Sequence, residues 1–226
     1  MTIIIASVSN QGHVTSSDGR VIYNDRIVSE ENDKTFSLYD GKIRGAYAGM
    51  MSFGNFTNHG TKETRDYVVE ISSKISPDGI VRFAEFVKNK LLTILQNLSE
   101  KEWAVEKRSL VIFLTGGKYL EDENYMILEI NFGPNAQKTD VIATIEQPQC
   151  PDKTKLLKRC NSDSDHARNA ALSFLDKYES NSGLSIEEML CLHKIAITKA
   201  SEEAERNKKG SFSSCGGHHF FQPKLQ

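Results

Sequence analysis

Cysteine is scarce and scattered in this 226-residue chain. Its four residues, Cys150, Cys160, Cys191 and Cys215, form no Cys-x-x-Cys pair, which excludes zinc-ribbon and thioredoxin-type signatures, and without a secretory leader they read as free thiols. An excess of one charge is missing as well. There are 28 Lys and Arg against 30 Asp and Glu, a net charge of −2 with no block of like charges. That argues against a nucleic-acid partner bound through phosphate neutralisation. No apolar run approaches the ~20 residues that span a bilayer. The longest early one, Ile3 to Ala6, is too short for a signal-peptide core and lacks its basic flank. No membrane partner is expected, and the chain is assigned to the cytoplasm. The segment Ser214–His219 offers Cys215, His218 and His219 as three metal ligands at most, with no second cluster to complete a site. It reads as a glycine-rich turn into a last strand, so no metal and no cofactor are expected.

What is present is 38% apolar or aromatic side chains, enough for one core without disulfides or a structural metal. Thr2 to Val8 is a β-branched run, ended by the turn residues Ser9 to Gly12, with His13 to Ser17 as the return strand. Thr35 to Tyr39 and Lys42 to Ala48 flank Asp40-Gly41, a two-residue hairpin signal. Ser76-Pro77-Asp78 is a helix start. It precedes an apolar stripe, Ile80, Phe83, Ala84, Val87, Leu91, Ile94, Leu95 and Leu98, at three- and four-residue spacing. Phe53 to Ser73 is expected as a helix, Ser109 to Leu114, Tyr125 to Asn131 and Lys138 to Ile145 as strands, and Glu146 to Lys158, with Pro148 and Pro151, as loop. Helices follow at Asp163 to Tyr178 and Ser185 to Arg206, the second opened by the capping box Ser185-Ile-Glu-Glu188. A short strand, His218 to Gln222, closes the chain. Hairpin connections within a β, α, β, α order predict an α+β fold of antiparallel sheets with helices on their outer faces.

The chemistry starts at the second residue. Removal of Met1 makes Thr2 the N-terminus, with its Oγ beside its own α-amine. That amine has a reference pKa of about 7.7–8.0, so part of it is neutral at cellular pH and can accept a proton. A hydroxyl and a base on one residue make a complete nucleophile unit.

Four segments in register give this residue its context: Thr2-Ile-Ile-Ile-Ala, Ser17-Asp18-Gly19-Arg20, Asn32-Asp33-Lys34-Thr-Phe-Ser-Leu-Tyr39 and Gly45-Ala-Tyr-Ala-Gly49. Together they resemble the proteasome β-type peptidases, above all the HslV-like bacterial branch, whose members also begin directly with Met-Thr. In that family the nucleophilic Thr is followed by an Asp sixteen residues on and a Lys thirty-two residues on, the separations of Thr2, Asp18 and Lys34 here. Lys34 would then lower the pKa of the Thr2 hydroxyl, Asp18 would keep Lys34 charged and oriented, and the Gly49 N–H would face the substrate oxyanion, with Arg20 in support. Cys160-Asn-Ser162-Asp-Ser164 stands where the family has a Gly-Ser-Gly turn, which makes Ser162 the partner of the terminal amine. Asn161 and Asp163 replace the flanking glycines. The family's Arg-Asp-x-x-Ser-Gly segment has its nearest counterpart in Ser211 to Gly217, without the Asp, and Ser213 or Ser214 would take its role. The resemblance weakens beyond residue 55.

The resemblance implies a four-layer αββα sandwich of two stacked antiparallel sheets, the N-terminal nucleophile hydrolase fold. It implies a single domain over residues 1–226, with insertions at 53–77 and 146–158 and an extended C-terminal segment at 208–226. It implies a threonine endopeptidase acting on peptides or unfolded protein through an acyl-enzyme, within a homo-oligomeric ring or double ring. An ATPase unfoldase would be a separate partner, because the chain has no Gly-x-x-x-x-Gly-Lys-Ser/Thr loop. By matching position Val21, Tyr47 and Met51 would line the primary specificity pocket, favouring small or apolar side chains. The alternatives are an amidohydrolase or acyl transferase using the same nucleophile on non-protein amides, and a catalytically silent ring subunit.

Overall fold

The β-branched run at the N-terminus is buried along its whole length, and the reason is that both of its faces are covered. In the computed structural model, which describes residues 2–23, 26–49, 52–53, 62–75, 79–96, 110–117, 125–134, 141–146, 155–162, 164–208 and 215–223, β1 (Ile3–Ser9) and β2 (Gly12–Asp18) form an antiparallel hairpin with Ile4 opposite Ser17 and Ser9 opposite Gly12. β12 (Leu157–Ser162) pairs with the free edge of β1, and β13 (His219–Gln222) pairs with β2, giving a four-stranded sheet in the order β12-β1-β2-β13. The second sheet contains β5 (Thr35–Leu38), β6 (Ile43–Gly49), β9 (Leu110–Gly117), β10 (Tyr125–Pro134) and β11 (Val141–Glu146) in the order β11-β10-β9-β6-β5, every pair antiparallel. Two small hairpins stand apart from both: β3 (Val21–Tyr23) with β4 (Arg26–Ser29), and β7 (Ser52–Phe53) with β8 (Lys62–Glu63).

Alternation along the strands sorts side chains into three apolar layers. Ile4, Ala6 and Val8 pack with Ala46, Ala48, Val111, Phe113 and Ile127 between the two sheets. Ile3, Ile5 and Val14 point the other way, onto α3 (Asp165–Leu175) and α4 (Ile186–Arg206). The outer face of the second sheet packs against α1 (Thr64–Ser72) and α2 (Ile80–Gln96), whose Phe83, Val87, Leu91 and Leu95 form the buried stripe that the three- and four-residue spacing predicts. The fold is therefore α+β, with antiparallel sheets stacked face to face and, among the described residues, two helices on each outer side. The helix starts are chemically explicit. Ser164 Oγ accepts from Ala167 N–H at the start of α3, and Ser185 and Glu188 exchange both bonds of a capping box at the start of α4.

Some boundaries differ from the sequence expectation. The stretch expected as loop through Lys158 already enters β12 at Leu157. That strand reads poorly because it lies at a sheet edge, and Lys158, Arg159 and Asn161 break the apolar pattern. The helix expected from Phe53 begins only at Thr64, after the short β7–β8 pair, while residues 54–61 lie outside the described residues. The helix-start signal Ser76 to Asp78 and most of the expected insertion at 146–158 also lie outside them. Of the C-terminal segment expected as an extension, residues 215–223 are built into the first sheet through β13.

Candidate active site

Asp18 ends β2 opposite the first residue of β1, so the hairpin register alone carries its carboxylate to the base of the chain's N-terminus. Ile3 N–H donates to Asp18 Oδ1 at 3.1 Å, and Lys34 Nζ donates to the same oxygen at 3.1 Å. One carboxylate oxygen therefore ties the buried Lys34 ammonium to the peptide unit that joins Thr2 to Ile3. Lys34 Nζ also donates to the carbonyls of Asp18 (3.1 Å) and Arg20 (2.8 Å). Three oxygens around an ammonium hold it as a fixed positive charge. Asp18 and Lys34 are both 0% exposed, and Thr2 is 4% exposed. A pair buried this deeply is costly to desolvate, and it persists where further hydrogen bonds satisfy what remains of each group.

The second oxygen of Asp18 faces the far end of the sequence. Gly216 N–H donates to Asp18 Oδ2 at 2.8 Å. Burial raises the Asp18 carboxyl above the ordinary aspartate range, and the Lys34 charge and the N–H groups of Gly216 and Ile3 offset part of that rise.

The remaining expected residues fall as follows. Arg20 lies next to the pair: its carbonyl accepts from Lys34, and its N–H donates to the Gly216 carbonyl at 3.0 Å. Lys34 itself is joined to β6 through the Tyr47 N–H, which donates to the Lys34 carbonyl at 3.1 Å. Gly49 ends β6 two residues further on, with φ at 98°, a conformation that suits a residue without Cβ. Ser162 ends β12 directly across from Ile3 and accepts from Ser164 N–H at 3.2 Å, in the turn that opens α3. Asn161, standing where the family has glycine, takes a regular strand position opposite Ile4. Val21 begins β3, half-buried. Tyr47 packs in the core between the second sheet and its helices, 0% exposed, rather than on a surface. Its hydroxyl has no hydrogen-bond partner among the described residues, and burial pushes its pKa up. Ser213, Ser214 and Met51 lie outside the described residues.

Thr2, Asp18, Lys34, Arg20 and Ser162 thus gather at one end of the β1–β2 hairpin. The sequence reading missed the Gly216 N–H as a donor to Asp18, because it looked for serine hydroxyls in that segment; the Gly216-Gly217 pair was the available signal. It also missed His193 of α4, which is fully buried and bridges Ser16 Oγ and Ser7 Oγ, both at 2.7 Å. No group of three or more His, Cys, Asp or Glu side chains that could hold a metal ion occurs among the described residues. No protein-family model matches the chain, and no curated protein matches it.

Proposed function

We propose that the chain is a threonine-type peptidase of the N-terminal nucleophile class, with the corresponding αββα hydrolase fold. One observation carries the reading: Asp18 Oδ1 accepts both from the buried Lys34 ammonium and from the backbone N–H adjoining Thr2. Together these bonds set a cation and its counter-ion against the peptide unit that follows Thr2, the residue whose hydroxyl and α-amine the reading pairs.

With Met1 removed, the Thr2 α-amine takes the hydroxyl proton as Oγ attacks the substrate carbonyl. Lys34 favours the developing alkoxide electrostatically, and the Gly49 N–H stabilises the tetrahedral oxyanion; a donor in that role is worth about 3–4 kcal/mol in comparable sites. The amine returns the proton to the leaving nitrogen as the C–N bond breaks, leaving an ester on Thr2. Water, deprotonated by the same amine, then attacks the ester carbonyl; as the ester C–O bond breaks, the amine returns that proton to Thr2 Oγ and the acid product leaves. The Thr2 amine carries every proton transfer, and Lys34 acts throughout as a fixed charge.

The test joins mass and reactivity. Intact mass of the purified protein should show loss of Met1, and a peptide epoxyketone should add once per chain, at Thr2. Thr2→Ala should abolish both the adduct and cleavage of fluorogenic peptides. An adduct that persists in that variant overturns the reading. Turnover of small amides or acyl transfer to added amines, with no peptide cleavage, assigns the same nucleophile to another substrate class. The ring assembly and the ATPase partner implied by the family resemblance are proposals of the same standing, tested by sizing the purified protein and imaging its particles.

A further inference from the structure

The short strap Cys215–Gly217, whose Gly216 meets the Asp18 carboxylate, is held from its other side by a residue other than Thr2, Asp18 and Lys34. Glu30 follows β4. Arg20 Nε donates to Glu30 Oε1 and Oε2 at 3.1 and 3.2 Å, Arg20 Nη2 lies 3.0 Å from Oε1, and Arg20 Nη1 donates to the Cys215 carbonyl at 3.2 Å. The Glu30 carbonyl accepts from His218 N–H at 2.8 Å. Between these anchors, Gly216 gives its N–H to Asp18 Oδ2 and its carbonyl to the Arg20 N–H.

The two glycines are what admit this arrangement. Gly217 has φ at 76°, and a Cβ there would lie 2.5 Å from both the Glu30 carbonyl oxygen and Glu30 Oε2. A Cβ on Gly216 would lie 2.8 Å from the Arg20 guanidinium carbon. The strap is therefore moulded onto the Arg20–Glu30 pair at van der Waals distance, with no side chain between them.

We infer that Glu30 is a positioning residue for the Asp18–Lys34 pair, acting through Arg20 and the Cys215–Gly217 strap. The inference rests on the reading of Thr2, Asp18 and Lys34 proposed above. Stability alone gives little reason for such a construction, because an ion pair whose acid is 40% exposed contributes little to folding. Geometry gives a stronger one. Asp18 divides its oxygens, Oδ1 to Ile3 and Lys34 and Oδ2 to Gly216. The Gly216 bond fixes the rotation of the carboxylate, so it decides whether Oδ1 stays on Lys34. Removing the charge of Glu30 releases Arg20, loosens the strap and frees that rotation.

The test uses Glu30→Gln and, as the conservative variant, Glu30→Asp in the full chain, each shown to be folded by circular dichroism. Amide exchange is read residue by residue at Gly216, and the rate of epoxyketone addition is read as a function of pH. In Glu30→Gln the Gly216 amide should exchange at least tenfold faster than in the wild type. Addition should slow about tenfold or more, and its acid limb should move to higher pH because Asp18 has lost a hydrogen-bond donor. Glu30→Asp should recover part of both effects. An unchanged Gly216 exchange rate, or an unchanged rate and pH profile of addition despite a loosened strap, overturns the inference. If wild type and variants are all inert to the epoxyketone while Gly216 loosens in Glu30→Gln and recovers in Glu30→Asp, the peptidase reading fails and the coupling of Glu30 to Asp18 stands.

Discussion

His193 offers a test of the packing beneath the site that does not depend on catalysis. It lies on α4, fully buried, with Nδ1 2.7 Å from Ser16 Oγ and Nε2 2.7 Å from Ser7 Oγ, and burial lowers its pKa to about 3. Between pH 6.5 and about 3 the unfolded chain binds a proton that the native protein does not. Native stability therefore falls as the pH is lowered through that window, and is fully retained above it. At pH 5 the loss from this one residue is about 2 kcal/mol. His13, also lowered to about 3 by burial and by the Arg44 charge, acts in the same direction, so the wild-type curve alone does not isolate His193. The triple variant Ser7→Ala, Ser16→Ala, His193→Leu does. It removes the titrating group and both hydroxyls together, leaving none of the three partners buried and unsatisfied. Urea unfolding of both proteins at pH 7.5 and pH 5.0, at one protein concentration, should show the wild type losing about 2 kcal/mol more than the triple variant over that interval. Equal losses would refute the reasoning, since they would mean that the native protein accepts a proton on His193 as readily as the unfolded chain does.

Other substitutions address single contacts. Lys34→Met should abolish peptide cleavage and destabilise the protein by about 3–5 kcal/mol, because it leaves the Asp18 carboxyl buried without its cation. Urea unfolding of Asp18→Asn combined with Lys34→Met should recover much of the stability without the activity. Tyr47→Phe removes a buried hydroxyl that has no partner among the described residues; thermal unfolding should show stability unchanged or raised by about 1 kcal/mol, with peptide preference unaltered. Gly45→Ala would bring a Cβ to 2.2 Å from Phe36 Cζ and 2.9 Å from the Phe113 carbonyl. The resulting shift between β5, β6 and β9 should cost about 1–3 kcal/mol in denaturant. Ser185→Ala removes the side-chain half of the α4 capping box and should cost about 1 kcal/mol.

The parts of this fold that can be read from sequence are those whose cause is local. The α2 stripe and the Ser185 capping box each carry their own signal within a few residues and appear where they are expected, while the turn signalled by Asp40-Gly41 spans four residues, Tyr39 to Lys42, rather than two. β12 carries none. Leu157 to Ser162 is a strand because β1 offers it an edge, and a pairing partner 150 residues upstream leaves no mark on local composition. For side chains, alternation along β6 turns Tyr47 into the layer under α1 and α2. For the site, the spacing of Thr2, Asp18 and Lys34 was legible because one hairpin and one loop bring them together. Glu30 and Gly216 were not, since Glu30 pairs with Arg20 rather than with Asp18 or Lys34 and Gly216 donates a backbone amide, and the glycine pair at 216–217 marks a close approach without naming its partner.

The position of Asp18 also ties the geometry of the candidate site to completion of the fold. Its carboxylate accepts from residues 3, 34 and 216, three segments that meet only after β1, β2 and β13 have paired. A fully buried carboxylate carries a desolvation penalty of several kcal/mol, offset here by these donors acting together. The β1–β2 hairpin and Lys34 hold Oδ1, and the second carboxylate oxygen is satisfied by the Gly216 amide, which precedes the last strand. The same bond that satisfies the buried carboxylate orients it towards Lys34, so the surroundings of Thr2 are complete only in the closed first sheet.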